Sequence, residues 1–105
     1  MKLQAKTLIS MGEFKITAYC PCEECSDGYG RMTSTRKIAR SGHTVAVDPD
    51  VISYGTVLKI GDGEYIAEDC GGLVKGEHID VFMDTHEEVL EFGKQYRNVW
   101  IVRDK

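Results

Sequence analysis

The run from Glu68 to Met83, Glu-Asp-Cys-Gly-Gly-Leu-Val-Lys-Gly-Glu-His-Ile-Asp-Val-Phe-Met, constrains the chain more than any other part of it. Ile79, Val81 and Phe82 read as a short buried strand, so Asp80 is a carboxylate set into a sheet. A buried charge is costly unless it is paired or protonated. Asp69 ends a second strand-like run, Tyr65-Ile66-Ala67. Gly71, Gly72 and Gly76 between the two allow a tight loop and close backbone approach. Two strand ends thus bring two carboxylates toward one spot. On the residues alone, turn capping by Asp69 and a structural hydrogen bond by Asp80 is an equal alternative.

The flanking segments supply the rest of a sheet. Residues 13–19 alternate polar and apolar and are rich in β-formers, as expected of a half-buried strand. Residues 44–48 form a short apolar strand that ends on a third carboxylate, Asp48, and Pro49 stops it. Residues 56–60 and 64–67 are strands joined by a hairpin-like turn at Gly61-Asp62-Gly63. Asn98 to Val102 is the last strand, with Trp100 in or at the edge of the core. Thr85 and Glu88 have capping-box spacing, and Gly93 is placed as a stop, so one helix is expected over 85–92. Residues 1–12 are expected to be an N-terminal extension, frayed or an edge strand, before a single domain over 13–105. Residues 20–42 read as loops without regular structure, of a length that often carries function. The sum is a mainly β fold, a small barrel of about six strands with one short helix.

With 13 Lys and Arg against 17 Asp and Glu, the net charge is −4, which argues against nucleic acid as a partner. No apolar run approaches the ~18 residues of a membrane span. Residues 1–11 show no signal peptide, so either the chain stays where it is made or another route or an upstream segment handles export. Cys20, Cys22 and Cys25 are dense, with Cys70 distant, and the four suit a tetrahedral zinc site. Two disulfides and free thiols are the alternatives. His86, at a helix start, reads as structural.

The segments Val45-Ala46-Val47-Asp48-Pro49, Gly55-Thr56, Glu68-Asp69-x-Gly71-Gly72-x-x-Lys75-Gly76 and Ile79-Asp80-Val81-Phe82, with His86 and Phe92-Gly93, resemble the 3D domain. That family, named for three aspartates, occurs in bacterial and phage cell-wall proteins. It is similar to the catalytic barrel of the membrane-bound lytic transglycosylase A family, a double-psi β-barrel. The resemblance spans roughly residues 13–102 and implies a lytic transglycosylase that cuts the MurNAc–GlcNAc bond of peptidoglycan to a 1,6-anhydro product. Asp80 would be the acid and base, with Asp48 and Asp69 lining its pocket. Thr33, Gly71, Gly72, Lys75 and His78 would meet the substrate, with His78 orienting Asp80 or binding sugar. Catalysis would need no cofactor, and the protein would act on glycan strands as a monomer at the cell wall. The chain departs from the family at Thr33-Ser34-Thr35-Arg36, where a Thr-Ala-Ser-Gly segment is usual, and at Cys70, where threonine is usual. A non-catalytic wall-binding or regulatory module using the same groove is the alternative, and three carboxylates as a divalent-metal cluster is a weaker one.

Overall fold

The computed structural model describes residues 6–26 and 28–104. Six strands, β1 (Lys6–Tyr19), β2 (Thr44–Ala46), β3 (Val57–Ile60), β4 (Gly63–Asp69), β5 (His78–Phe82) and β6 (Gln95–Asp104), close into a barrel in the order β1-β5-β2-β4-β3-β6. β1–β5 and β2–β4 are parallel pairs, and the other four pairings are antiparallel. Phe14, Ile16, Val45, Leu58, Ile79, Val81 and Val99 fill the interior. The mainly β, six-stranded closed barrel expected from the sequence is the fold observed.

Three differences have physical causes. β1 begins at Lys6, so residues 6–12 of the expected extension are strand, paired antiparallel with β6 as far as Lys6↔Asp104. A bulge between Ser10 and Gly12 interrupts that ladder, and Gly12 takes a positive φ of 87° there. Residues 1–5 lie outside the described part. There are also two helices rather than one. The short α1 (Glu23–Ser26) falls in the loop expected after β1. Its first turn is tied by the Cys25 amide donating to Cys22 Sγ at 3.4 Å, a cap made by sulfur rather than by the usual oxygen residues. Finally, β2 stops at Ala46, because Asp48 opens a turn: its carbonyl accepts from the amides of Val51 and Ile52.

The second helix, α2 (His86–Phe92), has the capping box read from the sequence. Thr85 Oγ1 accepts from the Glu88 amide, Glu88 Oε1 accepts from the Thr85 amide, and Gly93 closes the helix at φ 64°. Trp100 is half-buried, at the core edge.

The period of two along a strand places the site. Ile79 and Val81 point into the barrel, which turns His78, Asp80 and Phe82 to its other face. On the adjacent β1, Thr17 pairs with Asp80 and Tyr19 with Phe82, on that same outer face. β2 adds Ala46 beside Asp80. The Tyr19 and Phe82 rings pack edge to face at 5.3 Å. A patch of outer sheet is thereby floored by Tyr19, Ala46 and Asp80, and loops rise on both sides of it.

Candidate active site

A cleft of about 580 Å³ stands over that floor. One wall is the segment from Cys25 to Arg36, including Tyr29, Met32, Thr33 and Ser34; the other is the loop from Cys70 to Lys75. The volume lies within the range of ligand pockets. Of the sequence-predicted residues, Asp80, Asp69, Thr33, Gly71, Gly72 and Lys75 line this cleft.

The two carboxylates at the cleft differ sharply in their surroundings. Asp69 accepts four hydrogen bonds. Tyr19 Oη donates to Oδ2 at 2.9 Å, while Oδ1 receives the Ser34 amide at 2.9 Å, the Ser34 hydroxyl at 2.7 Å and the Cys70 amide at 2.9 Å. Those donors fit an ionised oxygen pair, and they fasten the first wall to the end of β4. Burial next to Asp69 also drives the Tyr19 phenol upward, so it remains a donor.

Among the described residues, Asp80 has a single side-chain partner, Thr17 Oγ1 at 3.0 Å. Burial pushes its carboxyl up from 3.8 to about 6, with the Asp69 charge adding to the rise and Thr17 opposing it. Ile79 and Val81, which flank it in the strand, face the barrel interior instead. The desolvation comes from burial on the outer face, beneath the cleft walls. His78 does not line the cleft. Its Nε2 lies 2.7 Å from Thr17 Oγ1 and its Nδ1 3.2 Å from the Leu73 carbonyl. It therefore touches Asp80 only through Thr17, and desolvation lowers its own pKa.

Asp48 is absent from the cleft. It is buried at 8% exposure, accepting from the Asp50 amide at 3.0 Å and the Gly76 amide at 2.9 Å. It joins the turn after β2 to the loop before β5, so the expectation of three aspartates around one pocket is corrected to two. The Gly76 amide, then that of Asp50, hold the Asp48 carboxyl below its ordinary value. Its stabilisation is complete above the unfolded value of ~3.9 and is lost as pH falls through the lower folded value. Asp48→Asn is expected to melt below the parent chain at pH 7, with the gap narrowing as pH falls below ~3.9. Thermal melts across that range check it.

The cysteine expectation is corrected too. Cys20, Cys22 and Cys25 do converge, but their fourth neighbour is His86, not Cys70. Cys70 is outside that group, its Sγ 3.2 Å from the Ser34 hydroxyl. All four cysteines are free thiols. The group of Cys20, Cys22, Cys25 and His86 could hold a metal ion.

Residues that sequence reasoning passed over include Tyr19, Ser34 and Thr17. Tyr19 was readable as the strand end next to the Cys-rich loop; Ser34 and Thr17 matter only through long-range partners. Arg36 is a further case. It lines the cleft with φ 66°, a left-handed conformation that costs a side-chain-bearing residue ~1–2 kcal/mol. This is the position of the glycine in the Thr-Ala-Ser-Gly pattern. Arg36→Gly is expected to raise stability by ~0.5–1 kcal/mol in urea denaturation, the relief of strain outweighing the entropy of glycine.

The closed mixed barrel is similar in fold to solved lytic transglycosylase structures. MltA from Escherichia coli superposes with a TM-score of 0.61 at 23% identity, over 70% of this chain and 28% of that one. The E. coli MltA structure with bound chitohexaose gives 0.60 at 21% identity, over 69% of this chain and 27% of the other. These likenesses show the fold. The profile of the 3D domain matches residues 43–103, and the chain belongs to that family. The cell wall-binding protein YocH of Bacillus subtilis (strain 168) is 42% identical over 50 residues, 47% of this chain and 17% of YocH. The putative cell wall shaping protein YabE of the same organism is 35% identical over 81 residues, 75% of this chain and 20% of YabE. The chain thus spans about a fifth of the length of these two relatives.

Proposed function

We propose that this chain is a peptidoglycan lytic transglycosylase domain in which Asp80 alone serves as acid and then as base. One observation carries the reading: of the two carboxyls at the cleft among the described residues, Asp80 is the desolvated one with a single hydrogen-bond partner there, raised to about 6. Such a group can hold a proton near neutral pH and give it up during a reaction. The shared barrel of the E. coli transglycosylases and the cell-wall names of the Bacillus relatives supply the substrate class.

In this mechanism the Asp80 carboxyl protonates the glycosidic oxygen as the bond from the MurNAc C1 breaks. The resulting Asp80 carboxylate then removes the proton from the 6-hydroxyl of the same sugar, whose oxygen closes on C1. The 1,6-anhydro ring forms, Asp80 is protonated again, and no water is consumed. A two-carboxylate glycosidase would need a second carboxylate free to act on water or sugar. Asp69, engaged by four donors, is committed to holding Tyr19 and Ser34 instead. Gly71 and Gly72 let the glycan approach the backbone, and Lys75 and Thr33 border its path. The working unit is a monomer acting at the cell wall, and the cycle uses no cofactor. A structural zinc ion is the reading that the Cys/His group supports.

The second reading, a wall-binding module using the same cleft, draws support from the name of one relative. Incubation with purified sacculi separates the two. Release of soluble muropeptides is the expected result, and co-sedimentation without release would favour the binding module.

A further inference from the structure

We infer that Cys20, Cys22, Cys25 and His86 form a zinc site that builds one wall of the cleft. Three of the donor atoms come from the short stretch between the end of β1 and α1, and the fourth from the first residue of α2, 61 positions beyond Cys25. They lie within 4.8 Å of one another. Zinc bonds of ~2.3 Å to sulfur and ~2.0 Å to nitrogen make a tetrahedron with S···S edges of ~3.8 Å and S···N edges of ~3.5 Å. Here His86 Nδ1 is 3.7, 3.7 and 3.4 Å from the sulfurs of Cys20, Cys22 and Cys25, and Cys20 and Cys22 are 3.2 Å apart. The three S···N edges have about the length that zinc requires, and the Cys20–Cys22 edge needs a slight expansion. Three thiolates and an imidazole are soft and borderline donors, the set that selects zinc over magnesium or calcium. The Cys25 amide donating to Cys22 Sγ supplies the kind of outer hydrogen bond that orients a ligand.

The placement gives the site its role. Cys25, Ser26, Tyr29, Gly30 and Met32 line the cleft next to Asp80. The far end of this wall is fastened by Ser34 to Asp69; nearer the metal ligands, its side-chain contacts among the described residues include the Ser26 hydroxyl donating to the Cys22 carbonyl, the Gly30 amide donating to that hydroxyl, and Arg31 pairing with Asp84 at 2.9 Å. An ion joining Cys22 and Cys25 to His86 clamps the wall onto α2, and ligand binding of this kind adds directly to folding stability.

The test uses the whole chain, with zinc and cobalt(II) as probes. Zinc measured by mass spectrometry is expected at one equivalent per chain, and cobalt(II) is expected to show tetrahedral ligand-field bands with a thiolate charge-transfer band. Cys25→Ser and His86→Ala should lose the ion, His86→Cys should keep it as a four-sulfur site, and Cys70→Ser should leave occupancy unchanged. Chelation should release hydrogen-exchange protection in residues 22–34 while the strand amides stay protected. That pattern reports on the metal without any glycan, so it stands or fails apart from the proposed activity. Zinc absent after refolding with excess metal, or an intact mass short by two hydrogens for a disulfide within the cluster, would overturn the assignment. Equal loss of the ion from Cys70→Ser and Cys25→Ser would overturn the ligand set, and chelation that leaves residues 22–34 protected would overturn the wall role.

Discussion

Asp80→Asn is expected to lose turnover by at least ~10²-fold and, at neutral pH, to melt above the parent chain. Asparagine keeps the shape and can still bond to Thr17 Oγ1, but it carries no transferable proton. The gain in stability follows from the raised carboxyl. With a folded value of about 6 against 3.8 for the ordinary group, the folded state holds this proton more tightly than the unfolded state. Its stability is fully present below about pH 4 and is lost as pH rises through about 6. At pH 7 the ionised Asp80 therefore costs of the order of 3 kcal/mol, at ~1.4 kcal/mol for each tenfold change in the proton equilibrium. Removing the charge recovers much of that. The excess melting temperature of Asp80→Asn should be several degrees at pH 7 and vanish near pH 4. A chain that is more stable and nearly inactive is what a strained catalytic group predicts. A melting difference independent of pH would mean that Asp80 is ionised without cost and is no proton donor. Glycan binding should survive the substitution.

Asp69→Ala is expected to lose stability instead. It leaves the Tyr19 hydroxyl, the Ser34 amide and hydroxyl and the Cys70 amide without their common acceptor. Removing one partner of buried or half-buried groups costs ~1–3 kcal/mol per unsatisfied group, and partial access of water to Ser34 holds the total to roughly 2–4 kcal/mol. The midpoint in urea should fall accordingly. Turnover falls as well, because the Ser34 wall loses its anchor and because the Asp69 charge no longer helps to keep the Asp80 proton in place. The pH above which activity falls should therefore move lower. A midpoint within ~0.5 kcal/mol of the parent would contradict the fastening role.

How much of this was legible in the sequence depends on distance along the chain. The alternation over 13–19, the hairpin at Gly61-Asp62-Gly63 and the Thr85/Glu88 capping box are local, and each appears in the fold. The strand character of residues 6–12 is not local. Their pairing partner is β6, at the far end of the chain, and no period in Lys6 to Gly12 announces it. The glycine-rich run was correctly read as bringing Asp69 and Asp80 together. Their different surroundings depend on Tyr19 and Ser34, which reach Asp69 from 50 and 35 positions away. Asp48 looked equivalent because it also ends an apolar strand, but its oxygens are taken by the amides of Asp50 and Gly76. Likewise three cysteines within one loop signalled a site, and composition pointed to Cys70 as the fourth member. Topology instead places the start of α2, with His86, against the end of β1.

The central claim is that one carboxyl cleaves the glycan without water. Digestion of purified glycan strands in ¹⁸O-labelled water, read by mass spectrometry, tests it most directly. The account predicts new ends that are 1,6-anhydro and carry no ¹⁸O. Reducing ends labelled with ¹⁸O would show that water attacks the sugar, and would contradict it.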